Sequence, residues 1–124
     1  MSYIESGKQE GAVVHTGGHR HGKEGYFIDP TIFTNCQPQM KIVKEEIFGP
    51  IAVLIKFKDE EGAWKEHVQC HPMFTDVSAD VIEQANDTTY GLASAVFSQN
   101  ISRAIRVAHA LEAGTAWVRS LMLD

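Results

Sequence analysis

The segment Ile51–Phe57, IAVLIKF, is a near-continuous apolar run bounded by turn signals. A strand with one wet face alternates apolar and polar residues. A run without alternation suits a strand covered on both faces, as in a parallel sheet. Parallel strands need crossovers, usually helical, and the chain supplies candidates. Asp80–Asn86 places Val81, Ile82 and Ala85 on one helical face, and Tyr90-Gly91 closes it. Ala93–Phe97 is another short apolar strand. Asn100 then caps an amphipathic helix whose apolar residues are Ile101, Ala104, Ile105, Ala108 and Leu111, with Gly114 just past its end. Thr115–Val118 reads as a final strand. Strands alternating with helices of this length predict α/β architecture with parallel pairing.

The first part of the chain is more broken. Met1–Ala12 reads as the end of a helix running into Gly11, with Tyr3, Ile4 and Lys8 at weak helical spacing. Ala12–Thr16 is a short β-rich piece ended by Gly17-Gly18, and the polar, glycine-bearing His19–Gly25 is a loop. Tyr26–Thr34, YFIDPTIFT, is rich in strand formers, although Pro30 marks an edge or a bend. Cys36–Pro38 is a turn, Met40–Phe48 makes one or two helical turns, and Gly49-Pro50 breaks them.

The 124 residues are the size of one ordinary domain, and 44% hydrophobic with 22% charged residues is a globular composition. A formal net charge of -5 argues against nucleic acid or an anionic membrane as the main partner. No apolar run approaches the roughly 18 residues of a spanning helix. The start, MSYIESGKQEGA, lacks the apolar core of a secretory signal. Cys36 and Cys70 form neither a disulfide framework nor a CxxC pair. A reducing, cytoplasmic setting is expected, with mitochondria left open.

The motifs GYFIDPTIF at Gly25–Phe33, MKIVKEEIFGP at Met40–Pro50 and YGLASAVF at Tyr90–Phe97 stand in an order that resembles the NAD(P)-dependent aldehyde dehydrogenase superfamily. SGKQEGA at Ser6–Ala12 and LEAGTAWV at Leu111–Val118 agree. The resemblance implies an incomplete parallel-sheet domain similar to the later part of that family's catalytic domain, including neither end of the enzyme. It implies NAD or NADP as cofactor and a small-molecule aldehyde as substrate. The second glutamate of EEIFGP, here Glu46, would bind the nicotinamide ribose, since a carboxylate accepts two hydrogen bonds from vicinal hydroxyls. Phe48 would pack near the nicotinamide ring. The competing reading of spacing alone has Glu45 and Glu46 beginning or flanking a short helix and Phe48 in the core.

The family's reaction uses a cysteine thiolate that attacks the aldehyde, a hydride transfer to NAD, and hydrolysis of the thioester. The family's nucleophile, general-base glutamate and dinucleotide-binding domain are expected upstream, outside this chain, so no catalytic residue is assigned within it. Neither Cys36 nor Cys70 sits at the nucleophile position. The oligomerisation strand and most of the substrate tunnel of this homo-oligomeric family are likewise expected elsewhere. The chain alone is expected to be inactive and poorly soluble, because cut sheets leave unpaired edges.

Gly62–Ala79, GAWKEHVQCHPMFTDVSA, interrupts the match and obeys neither period. Deleting it joins KFKDEE to DVIEQAN, a strand running into a helix with an acidic first turn. A structureless loop of that length is uncommon in a compact domain. The expectation is a retained, translated intron of a fungal gene. Thr75-Asp76 can be encoded as ACTGAC, which resembles a fungal branch point. The alternatives are a mobile loop, an interaction loop built on Trp64, Val68, Met73 and Phe74, or metal ligation by His67, Cys70 and His71 with His15, His19 and His21. The spacing matches no standard zinc pattern. After Val118 the family continues with asparagine, where Arg119 stands here, so the chain is expected to diverge from the family at that point. A non-enzymatic piece that pairs with a full-length dehydrogenase subunit is the alternative function.

Overall fold

The computed structural model describes residues 1–58, 64–65, 73–74 and 79–119. They fall into two compact units, Met1–Ile55 and Lys56–Asp124. Among the described residues no helix is long and apolar enough to cross a membrane.

The first unit begins with helix α1, Ser2–Gln9. Its end is a Schellman turn. The Ala12 N–H donates to the Gly7 carbonyl (2.9 Å) and the Gly11 N–H to the Lys8 carbonyl (3.2 Å). Gly11, at φ 92°, supplies the left-handed residue this closure requires. The chain turns into β1, Val13–Thr16, which pairs antiparallel with β2, Thr31–Thr34. The register slips between Val14 and Thr16, as at a β-bulge. β2 then pairs in parallel with β3, Ile51–Val53, so β2 is the middle strand of the order β1-β2-β3. Between β2 and β3 lies the short helix α2, Lys41–Lys44. The core gathers Ile4, Ala12, Phe33, Cys36, Met40 and Ile42, with Ile47, Ile51 and Val53 packed against it.

Two strand expectations are corrected here. Within YFIDPTIFT, Ile28 makes only an isolated antiparallel bridge with Arg20, and β2 starts after Pro30, which lacks the N–H a ladder residue must donate. Tyr26 and Phe27 stay exposed. The run Ile51–Phe57 is not one strand. β3 stops at Val53 because its partner β2 ends at Thr34, and the last cross-strand bond runs from the Leu54 N–H to the Phe33 carbonyl (2.8 Å). The β3 residues are half-buried rather than covered on both faces.

In the second unit, β4 (Phe57–Lys58) and β5 (Trp64–Lys65) pair antiparallel. β6 (Met73–Phe74), helix α3 (Ala79–Asn86), β7 (Ala93–Phe97), helix α4 (Ile101–Ala110) and β8 (Thr115–Arg119) follow. β6, β7 and β8 form a parallel sheet in that order, with a helix in each crossover. The core is Phe57, Val81, Val96, Ala104, Val107, Ala108 and Leu111. Asn100 caps α4 as expected, its Oδ1 accepting from the Arg103 N–H at 3.0 Å. Gly114 does not close that helix. Instead the Asn86 side chain donates to the Ala110 carbonyl and accepts from the Glu112 N–H, both at 2.9 Å. The Gly114 N–H donates to the Gly91 carbonyl (2.8 Å).

The α/β class with small parallel sheets therefore stands. Of the interrupting stretch 62–79, only β5, β6 and the first residue of α3 are described. The expected interaction-loop and metal-ligating residues His67, Val68, Cys70 and His71, and the side chains of Trp64, Met73 and Phe74, lie outside the described residues.

Candidate functional site

The motif KEEIFGP spans the exit of α2 and the entry to β3. A helix as short as Lys41–Lys44 cannot hold itself together, because nucleation costs more than its few hydrogen bonds return. Outside groups hold it. Met40 stands at its N-cap without a side-chain bond. The orphan Lys41 N–H is taken by Glu10 Oε2 at 2.7 Å, reaching over from the end of α1. The Ser6 hydroxyl donates to the other Glu10 oxygen, also at 2.7 Å. The Ser6 bond first, then the Lys41 N–H and the Lys41 charge, hold the Glu10 carboxyl below its ordinary value against a desolvation that works the other way.

Glu45, the C-cap residue, is already in extended backbone at φ -104°, ψ 144°. Its Oε2 accepts from the Tyr3 hydroxyl at 2.9 Å and lies 3.8 Å from Lys41 Nζ. The Lys41 ammonium sits over the Tyr3 ring, 5.2 Å from its centroid. The hydrogen bond to Glu45 is the main cause that raises the Tyr3 phenol above its ordinary value, with desolvation and the Glu45 charge adding to it. The phenol therefore stays a donor.

Glu46 differs from its neighbour. It is half-buried, and among the described residues it has no hydrogen-bond or ion-pair partner. Ile47 packs against the core of the unit. Phe48 is 93% exposed. The reason is the backbone. The Gly49 N–H closes onto the Ile47 carbonyl (3.0 Å) and the Ile51 N–H onto the Gly49 carbonyl (2.9 Å). Phe48 is the central residue of the first three-residue turn and Pro50 of the second. The Thr31 N–H then takes the Pro50 carbonyl (2.8 Å) and fastens the loop to β2. The reading of Phe48 as a core residue is thereby corrected for this unit. Both glutamates do follow the short helix, but only Glu45 is engaged.

The other candidates fall elsewhere. Cys36 is buried, its thiol donating to the Thr34 carbonyl with Sγ at 3.6 Å, and burial pushes the thiol up to about 11. Such a thiol is poor in thiolate at neutral pH. His19 Nε2 and His21 Nδ1 meet opposite oxygens of Asp29 at 2.7 and 2.8 Å. Among the described residues no group of three or more His, Cys, Asp or Glu side chains is placed to hold a metal ion. The sequence reading overlooked Tyr3 and Glu10, seen there only as parts of a helix. No local signal reveals them, because Tyr3 and Glu45 are 42 positions apart.

Similarity to known proteins agrees with the motifs. The family model described as "Aldehyde dehydrogenase family" matches residues 1–69 and 73–122. An aldehyde dehydrogenase of Agaricus bisporus is 60% identical over 118 residues, covering 95% of this chain and 20% of that protein. One from Alternaria alternata is 50% identical over 120 residues, covering 97% and 20%. Among solved structures, the NAD+ complex of the aldehyde dehydrogenase from Bacillus cereus superposes with a TM-score of 0.77 at 43% identity. That match covers 99% of this chain and 21% of that one. Betaine aldehyde dehydrogenase from Staphylococcus aureus in complex with NAD+ gives a TM-score of 0.74 at 37% identity, covering 99% and 22%. The chain spans about a fifth of the length of these relatives. With the family model matched along nearly its whole length, and the KEEIFGP loop built as described, the chain belongs to the aldehyde dehydrogenase family.

Proposed function

We propose that this chain supplies the nicotinamide-ribose grip of an NAD(P)-dependent aldehyde dehydrogenase that oxidises an aldehyde to a carboxylic acid. The observation that carries this reading is the contrast within one loop. Glu45 is engaged, while Glu46 has no partner among the described residues and stands two positions from a 93% exposed Phe48. A half-buried carboxylate without an internal partner is a strong acceptor for a pair of hydroxyls. An exposed aromatic ring offers a flat apolar face to a heteroaromatic ring. These two residues fit the nicotinamide half of the dinucleotide. When bound, that group accepts the hydride removed from the substrate carbon. The chain's own part is to bind and orient: Glu46 fixes the ribose, and Phe48 shields one side of the ring from water. Both relatives whose NAD+ complexes are solved support the choice of cofactor.

The test is a chimera of the Bacillus cereus enzyme carrying residues 1–58 of this chain in place of its matching stretch. Loss of a charge-assisted hydrogen bond costs about 1.5–3 kcal/mol. Glu46→Gln is therefore expected to weaken NAD+ binding roughly tenfold or more in the chimera, with its melting temperature unchanged. Unaltered NAD+ affinity and turnover in that variant would defeat the reading. The reducing cytoplasm is the compartment proposed for this chemistry.

One observation favours a second reading. β8 lies at the end of its sheet, and Thr115–Arg119 are all exposed, Trp117 at 58%. Such an edge pairs readily with another chain, which supports association with a full-length dehydrogenase subunit. Co-expression of the two, followed by copurification of the intact chain but not of a variant with Val118→Pro in the edge, tests it.

A further inference from the structure

We propose that Tyr3 is a positioning residue for the cofactor grip: by holding the Glu45 carboxylate it sets the direction in which the chain leaves α2, and so where Glu46 and Phe48 stand. The inference rests on the cofactor reading of Glu46 given above.

The geometry is a two-point brace. Helices α1 and α2 run antiparallel, because the start of α1 meets the end of α2 and the end of α1 meets its start. Glu10 takes the first N–H of α2 at 2.7 Å, and Tyr3 holds the residue just past its last turn at 2.9 Å. The pair lies about 10 Å apart along α1 at 1.5 Å per residue. The Glu10 tie secures the helix but lies on the far side of it from the cofactor residues. The Tyr3 tie acts on the residue adjoining Glu46.

Glu46 needs such a neighbour. Having no partner of its own among the described residues, it is placed only by what flanks it. On one side Ile47 is seated in the core. On the other, Glu45 is held twice, its N–H donating to the Lys41 carbonyl (3.0 Å) and its carboxylate accepting from the Tyr3 hydroxyl (2.9 Å). Lys41 is a weaker substitute, at 3.8 Å from the same oxygen and committed in part to the Tyr3 ring. Without the hydroxyl, the Glu45 carboxylate is free to swing, and the exit from α2 keeps only the Glu45 N–H bond to the Lys41 carbonyl (3.0 Å) behind it, which leaves the peptide that follows less restrained. An exposed hydrogen bond adds little to global stability. Its effect is to remove local freedom before the ligand arrives, which lowers the ordering cost of binding.

The experiment compares Tyr3→Phe, which deletes one oxygen, with Glu45→Ala, in the full 124-residue chain and in the chimera. Amide hydrogen exchange is followed segment by segment. The expected result is about fivefold faster exchange at residues 46–48 in each variant, with α1 and β2 unchanged and no further change in the double variant. In the chimera, Tyr3→Phe is expected to raise KM for NAD+ about threefold while kcat at saturating NAD+ is kept. Unchanged exchange at residues 46–48 overturns the proposal, as does faster exchange spread evenly over the unit, which marks a general structural role. The two readings fail separately. An NAD+ effect of Glu46→Gln with none of Tyr3→Phe sinks the brace alone. Local loosening by Tyr3→Phe with no effect of Glu46→Gln on NAD+ sinks the cofactor reading and leaves the brace as a structural fact.

Discussion

In the first unit, Met1–Ile55, side chains reach across long stretches of sequence to fasten backbone. Lys8 donates to the Gly18 carbonyl (2.8 Å), the Gly18 N–H to the Thr31 hydroxyl (2.8 Å), and the Lys41 N–H to Glu10 (2.7 Å). In the second, Lys56–Asp124, strand and helix alternate along the chain, and the described side-chain bonds mostly close local turns or helix ends. Among its described residues one long tie, from the Ser94 hydroxyl to the Thr115 carbonyl (3.5 Å), joins strands that are already paired, and the other, through Asn86, caps a helix that the apolar face of Val107 and Ala104 already seats. The difference teaches how a short helix and the turns after it are held. A crossover helix ten residues long, like α4, is held by its apolar face and tolerates a dull end. A four-residue helix leading into two successive tight turns must be gripped from outside, and polar cross-ties do this with direction as well as strength.

The comparison can be broken most forcefully at the core. Phe33 is fully buried in the first unit. Phe33→Ala is expected to cost about 4 kcal/mol. Segmental hydrogen exchange in denaturant should show β1–β3 opening while β7 and α4 keep their protection. Simultaneous opening of both units would mean that they are not independent. Gly17→Ala comes next. A Cβ there would run into the Pro30 carbonyl oxygen, on backbone at φ +72°. Clash and left-handed strain together are expected to cost about 3 kcal/mol, again confined to the first unit. Asn100→Ala, in the second unit, removes the cap that accepts from the Arg103 N–H. It should cost about 1 kcal/mol and fray only the first turn of α4, as read by the Arg103 amide.

The smallest effect sharpens the contrast through pH. The Glu10 carboxyl is lowered by its bonds in the folded chain. Its contribution is therefore complete above the unfolded carboxylate's value of 4.5 and fades as pH falls through the folded one. Acid titration followed at the Lys41 amide should show a step that Glu10→Gln abolishes, with the Arg103 amide in α4 unmoved.

Much of the second unit was legible because its rules are local. The strand Ala93–Phe97 and the Asn100 cap came out as read, since period and capping act over a few residues. The Gly114 stop did not, because Asn86, far off in sequence, already satisfies the helix end. In the first unit the apolar run Ile51–Phe57 overstated its strand, because strand length is set by the partner, and β2 is short. The KEEIFGP loop was legible as a motif. That Phe48 stands out from the core follows from two successive tight turns that no hydrophobicity pattern records.

The sequence by itself determined the α/β class, the Asn100 cap and the motif that points to a dinucleotide, all of which depend on residues near one another in the chain. Only the tertiary structure decided that, of two adjacent glutamates, Glu45 is engaged and Glu46 has no partner among the described residues. That choice depends on a tyrosine hydroxyl 42 positions away, and a hydrogen bond is read from distance in space, not from separation along the chain.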